Sequence, residues 1–210
     1  MKRKTGHIVL TLVCLLTVCQ IFVFTGCGTQ SKTPTETSLL VEQGGKITST
    51  IVESFDKEYY TQESLREMIE SEIAAYKGAD AAVTIDSLDE TDDTDTAGTG
   101  RKVAVVMSYA SPGDYAAFND IRFFYGTVSE AQANGYAIPA DLVSVKDENK
   151  TITSQELDDM KEYHVLITEE SIPVYLPEKP VYMTKGTLLA GSQCIRAGEE
   201  SLGLTYVIMK

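Results

Sequence analysis

Lys-Val-Ala-Val-Val-Met-Ser-Tyr, residues 102–109, predicts a well-buried strand because apolar and β-branched residues occupy both of its alternating faces. Ala82–Leu88 predicts a second strand just before it. The stretch between them, Asp89–Gly100, is acidic and rich in Thr and Gly, which is typical of a long loop. The two strands are therefore expected to form a hairpin.

A helix is the best-supported element upstream of this hairpin. Thr61 is a predicted N-cap, Glu63 suits the positive end of the helix dipole, and Gly78 is a predicted stop. Apolar residues recur between them at helical spacing along one face: Leu65, Met68, Ile69, Ile73 and Tyr76. We expect this amphipathic helix to pack on the sheet.

The other predicted elements alternate irregularly between strand and helix. Short helices are expected after Ser111-Pro112, Thr127 and Thr153, each a capping residue. Strands are expected near residues 47–55, 142–145, 165–168, 172–176, 181–184 and 202–209. Strand pairs close in sequence and the lack of regular βαβ spacing favour an α+β fold with a mostly antiparallel sheet in a single domain, residues 39–210. Pro173, Pro177 and Pro180 predict that the strands near them lie at a sheet edge or in an extended arm.

The amino terminus has the pattern of an export signal. Lys2, Arg3 and Lys4 precede an apolar run, Ile8–Phe24, and Thr25-Gly26-Cys27 follows it. A basic segment followed by an apolar one is typical of a secretory signal. The alternative is an uncleaved membrane anchor, since Ile8–Phe24 is close to the shortest length that spans a bilayer.

The end of this segment resembles the lipobox of bacterial lipoproteins, in which small residues precede a cysteine. The resemblance implies that residues 1–26 are a signal peptide and that Cys27 is diacylated and becomes the first mature residue. Gly28–Ser38 has no large apolar residue, so residues 27–38 are expected to be a lipidated cysteine and flexible tether. The protein is then expected at the outer face of the bacterial cytoplasmic membrane. The remainder resembles small surface lipoproteins of Gram-positive bacteria whose roles are mostly unassigned.

Charge and cysteine placement exclude two classes of protein. The chain has 31 acidic and 18 basic residues and a formal net charge of −13, which argues against a nucleic-acid partner. Cys14 and Cys19 lie in the predicted signal and Cys27 is the predicted lipidation site. Cys194 then remains as the one free thiol, and no disulfide framework is expected.

Motifs for catalysis are missing from the sequence. His164 is the one histidine after the signal, which argues against sites that need two. A Cys194–His164 pair is disfavoured because both residues lie in strand-like apolar surroundings, and no Gly-x-Ser-x-Gly motif occurs. We therefore expect no enzyme, no cofactor and no metal site.

Calcium is the metal for which the sequence offers the most ligands. The acidic run from Asp86 to Asp95 offers carboxylates, as weak extracellular calcium sites do. Read as an EF-hand, Asp93, Asp95 and Gly98 take loop positions 1, 3 and 6, but the bidentate carboxylate is replaced by Ala104. A solvated acidic loop is the preferred interpretation.

Aromatic residues concentrate in one segment of the chain, which has no Trp. This segment is a candidate ligand patch if exposed, and ordinary core if buried. The sequence favours a binding or interaction module of the cell envelope with a protein, peptide or glycan partner. The alternatives are an envelope hydrolase that uses carboxylates and a small solute-binding lipoprotein. The candidate patch residues are Tyr109, Tyr115, Phe118, Phe123, Phe124, Tyr125 and Tyr136.

Overall fold

The predicted buried strand lies in the middle of three paired strands. The computed structural model describes residues 34–57, 59–76, 78, 81–92, 100–198 and 203–210. In it the strand spans Arg101–Tyr109 and pairs antiparallel with Ile47–Ser54 on one side and Val83–Asp92 on the other. The predicted hairpin is confirmed, and its first strand continues to Asp92, so the acidic residues 89–92 are paired rather than looped.

The described residues form four helices and thirteen strands, numbered here in chain order. The helices are α1 Gln62–Ala75, α2 Pro112–Asn119, α3 Val128–Ala133 and α4 Ser154–Asp159. The strands are β1 Ser38–Val41, β2 Ile47–Ser54, β3 Val83–Asp92, β4 Arg101–Tyr109, β5 Phe123–Thr127, β6 Val143–Ser144, β7 Asp147–Thr151, β8 His164–Thr168, β9 Val174–Tyr175, β10 Pro180–Met183, β11 Leu188–Ala190, β12 Cys194–Arg196 and β13 Thr205–Met209.

These strands assemble into two open sheets. Sheet A has the order β11-β12-β9-β1-β2-β4-β3, and sheet B has the order β5-β8-β13-β10-β6-β7. Within sheet A, β1 runs antiparallel to β2 but parallel to β9. The chain is thus a strand-rich mixture of helices and open sheets, which agrees with the expected combination of α and β elements.

One face of sheet A is mainly apolar. Alternate residues point to the same side of a strand, and the register aligns Ile51 of β2, Val105 of β4 and Leu88 of β3 on that side. The same side continues through Leu39 of β1 to Ile195 of β12. These residues all belong to or pack on one hydrophobic cluster, which also contains side chains from sheet B.

Apart from its exposed edge strand β7, sheet B is buried on both faces, because sheet A covers one and helices cover the other. Leu166 of β8 points into the cluster shared with sheet A, whereas its neighbour Ile167 points into a second cluster. That second cluster includes Val128 and Ala131 of α3, and Leu157 of α4 packs against it. The result is three layers: sheet A, sheet B and the short helices.

Both hydrophobic clusters found in the described part of the chain lie after the predicted signal and tether. Every buried member of both clusters lies between Leu39 and Met209, and Thr33–Lys210 form one compact unit. We therefore expect residues 28–210 to fold without the residues before them.

The predicted helix starts are confirmed. The side chains of Thr61, Ser111, Thr127 and Thr153 each accept a hydrogen bond from a backbone N–H in the first turn. The predicted stop of α1 at Gly78 is late, since Tyr76 is the C-cap and its backbone is already extended.

The prediction that proline places the strands near residues 172–184 at an edge is wrong. β9 lies between β12 and β1, and β10 lies between β13 and β6. Pro173 precedes β9 and Pro180 is the first residue of β10, so no N–H is missing from the interior of either strand. The carbonyl of Pro173 even accepts a hydrogen bond from the backbone N–H of Leu39, at 2.9 Å.

The carboxyl end of the predicted tether belongs to sheet A. Ser38 begins β1, and the Thr37 hydroxyl oxygen accepts a hydrogen bond from the backbone N–H of Val52 at 2.9 Å. Glu36 lies 3.8 Å from Arg196 in an ion pair. Backbone groups pair in a sheet whatever the polarity of their side chains, which is why composition alone predicted a linker there.

Candidate functional site

Helix α1 forms one wall of a groove over the apolar face of sheet A. Of its apolar residues Ile69 is buried, whereas Met68 is 53% exposed. The side-chain amide of Gln62 donates a hydrogen bond to the carbonyl of Leu88, which fixes the start of the helix to β3. The apolar groups exposed along the groove are therefore mainly at its rim, on Met68, Tyr59 and Tyr60.

The floor of this groove is the inward face of β4 together with Ile51 of β2. Val103, Val105, Met107 and Tyr109 alternate along β4 and line the floor. Each of these four residues is at most 4% exposed, so the groove is closed at the bottom. Its volume is about 600 Å³.

An aromatic cluster closes the end of the groove nearest the start of α1. The rings of Phe55 and Tyr60 stack with centroids 5.4 Å apart, and Tyr59 meets Tyr60 edge-on at 4.8 Å. The guanidinium carbon of Arg101 lies 5.4 Å from the Phe55 ring centroid. Tyr59 is 73% exposed, which is unusual for so large a ring and leaves it accessible to a ligand.

The opposite end of the groove lies where α1 and α2 both finish. Glu72 from the last turn of α1 lines it, together with Phe118 and Asn119 from the last turn of α2. The ring of Tyr76, the C-cap of α1, packs edge-on against Phe118 with centroids 5.7 Å apart. The Tyr76 hydroxyl donates a hydrogen bond to Asp114 at 3.0 Å, and burial and this carboxylate raise the pKa of Tyr76.

The charges that line the groove are all negative. Its described lining includes the carboxylates of Glu53 and Glu72 and no Lys, Arg or His. Glu53 lies on β2 at the aromatic end, and Glu72 lies at the α1–α2 end. An anionic ligand is therefore disfavoured, and an uncharged or cationic one is accommodated.

The seven aromatic residues singled out from the sequence do not share one surface. Tyr109, Tyr115, Phe123 and Tyr125 are buried, and the other three are partly exposed. Tyr109 and Phe118 line the groove. Tyr115 and Phe123 belong to the core cluster between the sheets, where their ring centroids are 4.9 Å apart.

The remaining aromatic pair lies on the far side of sheet B. Phe124 and Tyr136 pack against the cluster under α3 and α4, with ring centroids 5.2 Å apart. Alternation along β5 explains the division, since Phe123 and Tyr125 point to one face of the sheet and Phe124 to the other. These aromatic residues are close in sequence, which suggested one patch, but the alternation of the strand places them on two faces of the sheet.

His164 and Cys194 have separate surroundings and different partners. The His164 ring stacks on Tyr125 at 5.2 Å, and its Nδ1 lies 3.1 Å from the carboxylate of Glu178. Cys194 is on sheet A, and burial is the main cause that raises the pKa of its thiol, which lowers its nucleophilicity at neutral pH. His164 is on sheet B.

The acidic segment considered for calcium lies partly outside the described residues. Asp93 and Asp95 are not described, whereas the Asp86 carboxylate accepts hydrogen bonds from Thr84 and Ser108. In the described ranges no group of three or more His, Cys, Asp or Glu residues is placed to hold a metal ion.

Residues 1–33, with the predicted signal and Cys27, also lie outside the described part. Within that part, none of the helices has both the length and the apolar character needed to cross a bilayer.

Sequence reasoning missed the groove although each of its walls was predicted. The apolar face of α1 and the apolar strand β4 were both recognised, but how much of one covers the other is a tertiary property. Two local signals were present: Met68 on the helix and the adjacent Tyr59-Tyr60 just before the cap.

No protein-family model matches the chain, and neither a curated protein nor a solved structure is significantly similar to it. The groove and the pattern of the amino terminus are therefore the features that bear on function.

Proposed function

We propose that this chain is a membrane-anchored extracytoplasmic lipoprotein that acts as a binding module of the bacterial cell envelope. Its ligand is an elongated, largely apolar molecule that lies in the groove between α1 and β4. The export pattern of residues 1–27 supports the location, and the groove is the observation that carries the binding role.

The size and lining of the groove support a small ligand. Its volume of about 600 Å³ is within the range of ordinary ligand sites, about 300–1,000 Å³. Met68, Tyr59 and Tyr60 expose apolar surface around it. Covering such surface favours binding by roughly 25 cal/mol for each Å² removed from water.

The same lining favours an apolar ligand over the glycan that the sequence left open. Sugars need many hydrogen-bonding groups, whereas the floor residues Ile51, Val103 and Val105 have aliphatic side chains. The hydrolase alternative has less support, because a pair of catalytic carboxylates is about 5–10 Å apart. Here Glu53 and Glu72 belong to opposite ends of the groove.

For the fold, we propose a single domain over residues 39–210 with mostly antiparallel sheets. The hydrophobic cluster shared by sheets A and B supports one domain. The mostly antiparallel arrangement is supported by the pairings of β4 with β2 and β3, and of β13 with β8 and β10.

Lipidation tests the anchoring. The full chain, expressed in a Gram-positive host with radiolabelled fatty acid, is expected to carry label, and Cys27→Ser is expected to carry none. Cys19→Ser, a matched change inside the predicted signal, should keep the label. An unlabelled parent chain or a labelled Cys27→Ser variant contradicts the lipid anchor.

Ligand binding in the groove is tested with Nile red, an uncharged apolar dye, and residues 28–210. Met68→Glu places a carboxylate among apolar groups, and we expect the dye to bind at least about tenfold more weakly, since burying a charge there is unfavourable. The readout is fluorescence titration of the dye.

The matched control for this titration is Leu188→Glu, the same chemical change at a 59% exposed leucine on β11. It should leave the dye affinity within twofold of the parent. Equal losses in the two variants, or no binding by the parent chain, contradict the groove as the binding site.

A further inference from the structure

The end of the groove formed by α1 and α2 combines several sources of negative potential. We propose that the ligand carries a positively charged amine group that binds at this end, with its apolar chain lying along β4. This inference rests on the proposed binding function and specifies the chemical class of the ligand: an aliphatic amine or quaternary ammonium compound.

The first source is Glu72 in the last turn of α1. The carboxyl end of a helix carries a partial negative charge, so a carboxylate there is unfavourable and a cation is favourable. No basic residue lies in that last turn to offset Glu72. A ligand cation supplies the missing positive charge.

The second source is the end of α2. Its last turn also has no basic residue, and its C-cap is Asp120. Asn119, the last residue of the helix, lines the groove, and its side-chain amide donates a hydrogen bond to the Tyr115 carbonyl at 2.8 Å. The contact between Tyr76 and Phe118 holds the two helix ends together, so their negative potentials act on the same space.

Two basic residues lie near this end along the chain. Lys77, directly after the C-cap of α1, is outside the described residues. Arg122, which follows α2, donates hydrogen bonds to Glu169 from its backbone N–H and its Nε, each at 2.9 Å. Arg122 is therefore held by Glu169, and Glu72 is the one charged side chain in the described lining at this end of the groove.

The dimensions of the groove fit a linear chain with one charged end. Thr61 and Glu72, which both line it, are eleven helical residues apart, about 16 Å at 1.5 Å per residue. An ammonium group beside Glu72 places the chain over Met107, Val105 and Val103 in turn, with its end near Tyr60. Val103, Val105 and Met107 form the floor along this path, and Phe55 and Tyr60 lie at its end.

The test uses three probes with the same decyl chain and different headgroups: decyltrimethylammonium, decyl maltoside and decyl sulfate. Each is titrated below its micelle concentration against residues 28–210 loaded with Nile red, and displacement of the dye gives the affinity. We expect the cationic probe to bind about fivefold more tightly than the neutral one, which corresponds to one charge pair at 4 Å in water. The anionic probe should bind most weakly.

Two variants with the same change in net charge locate the effect. Glu72→Gln should lower the ratio of cationic to neutral affinity about fivefold, whereas Glu70→Gln, on an exposed part of α1 outside the groove, should leave that ratio unchanged. Equal affinity for cationic and neutral probes overturns the inference and leaves the groove intact. An equal drop of the affinity ratio in both variants also overturns the inference, because it indicates general attraction of the cation to an acidic surface. Failure of the neutral probe to displace the dye contradicts the proposed apolar site itself.

Discussion

Replacing Tyr115 with alanine is expected to lower the free energy of unfolding by about 3–5 kcal/mol, as for other large aromatic residues in cores. The ring is 3% exposed, and it meets Tyr109 and Phe123 edge-on with centroids 4.9 Å from each. Its hydroxyl donates a hydrogen bond to Glu170 at 2.6 Å, and burial raises the pKa of Tyr115 far above its usual range. Urea unfolding of residues 28–210 measures the effect.

Two further variants separate the contributions to this loss. Tyr115→Phe keeps the ring and removes the hydroxyl, so we expect a loss of about 1.5–3 kcal/mol, the range for hydrogen bonds to charged groups. Tyr59→Ala removes a 73% exposed ring and should change stability by no more than about 0.5 kcal/mol. A loss below about 1 kcal/mol for Tyr115→Ala contradicts the buried position of Tyr115 and indicates that its side chain is at the surface.

Alanine at Leu166 and alanine at Ile167 are each expected to destabilise the protein by about 2–5 kcal/mol. The two residues are neighbours on β8 and point to opposite faces of sheet B, and each is 0% exposed. A sheet with one face in solvent shows a large effect at alternate positions only. Equal large effects in urea unfolding are therefore the signature of a sheet covered on both sides.

Adjacent valines of β4 provide the internal comparison. Val105 faces the groove and core at 4% exposure, whereas Val106 is half-buried on the other face of sheet A. Val105→Ala should destabilise the protein more than Val106→Ala. If Ile167→Ala behaves like Val106→Ala, the helices α3 and α4 do not cover sheet B and the three-layer arrangement is wrong.

Local chemistry made several elements predictable. The strand at residues 102–109 follows from its apolar run, and Thr61, Ser111, Thr127 and Thr153 each mark a helix start, because capping depends on groups within three residues of each other. Such interactions involve residues that are adjacent in sequence, so they can be predicted without the rest of the chain.

Elements that depend on distant partners were harder to predict. β9 is only two residues long and is held as a strand by its two neighbours, β1 and β12. In sequence, β1 is more than a hundred residues away from β9, and β12 is about twenty residues away. The paired end of the predicted tether has the same origin, since Ser38 is held by Thr50 of β2. Pro173 and Pro180 are compatible with strands in the middle of a sheet, because Pro173 precedes β9 and Pro180 is the first residue of β10.

The sequence by itself determined the acidic character, the capped helices and the buried strand β4, and it predicts an export signal that ends at Cys27. Tertiary structure alone decided which apolar residues are core and which line a site. Tyr115 and Tyr59 are the same residue type, yet one is 3% exposed and the other 73%. Their difference comes from what lies over them: sheet B closes over the first, while α1 covers too little of sheet A to bury the second. Coverage of one element by another is a non-local quantity, and it is what leaves the groove open.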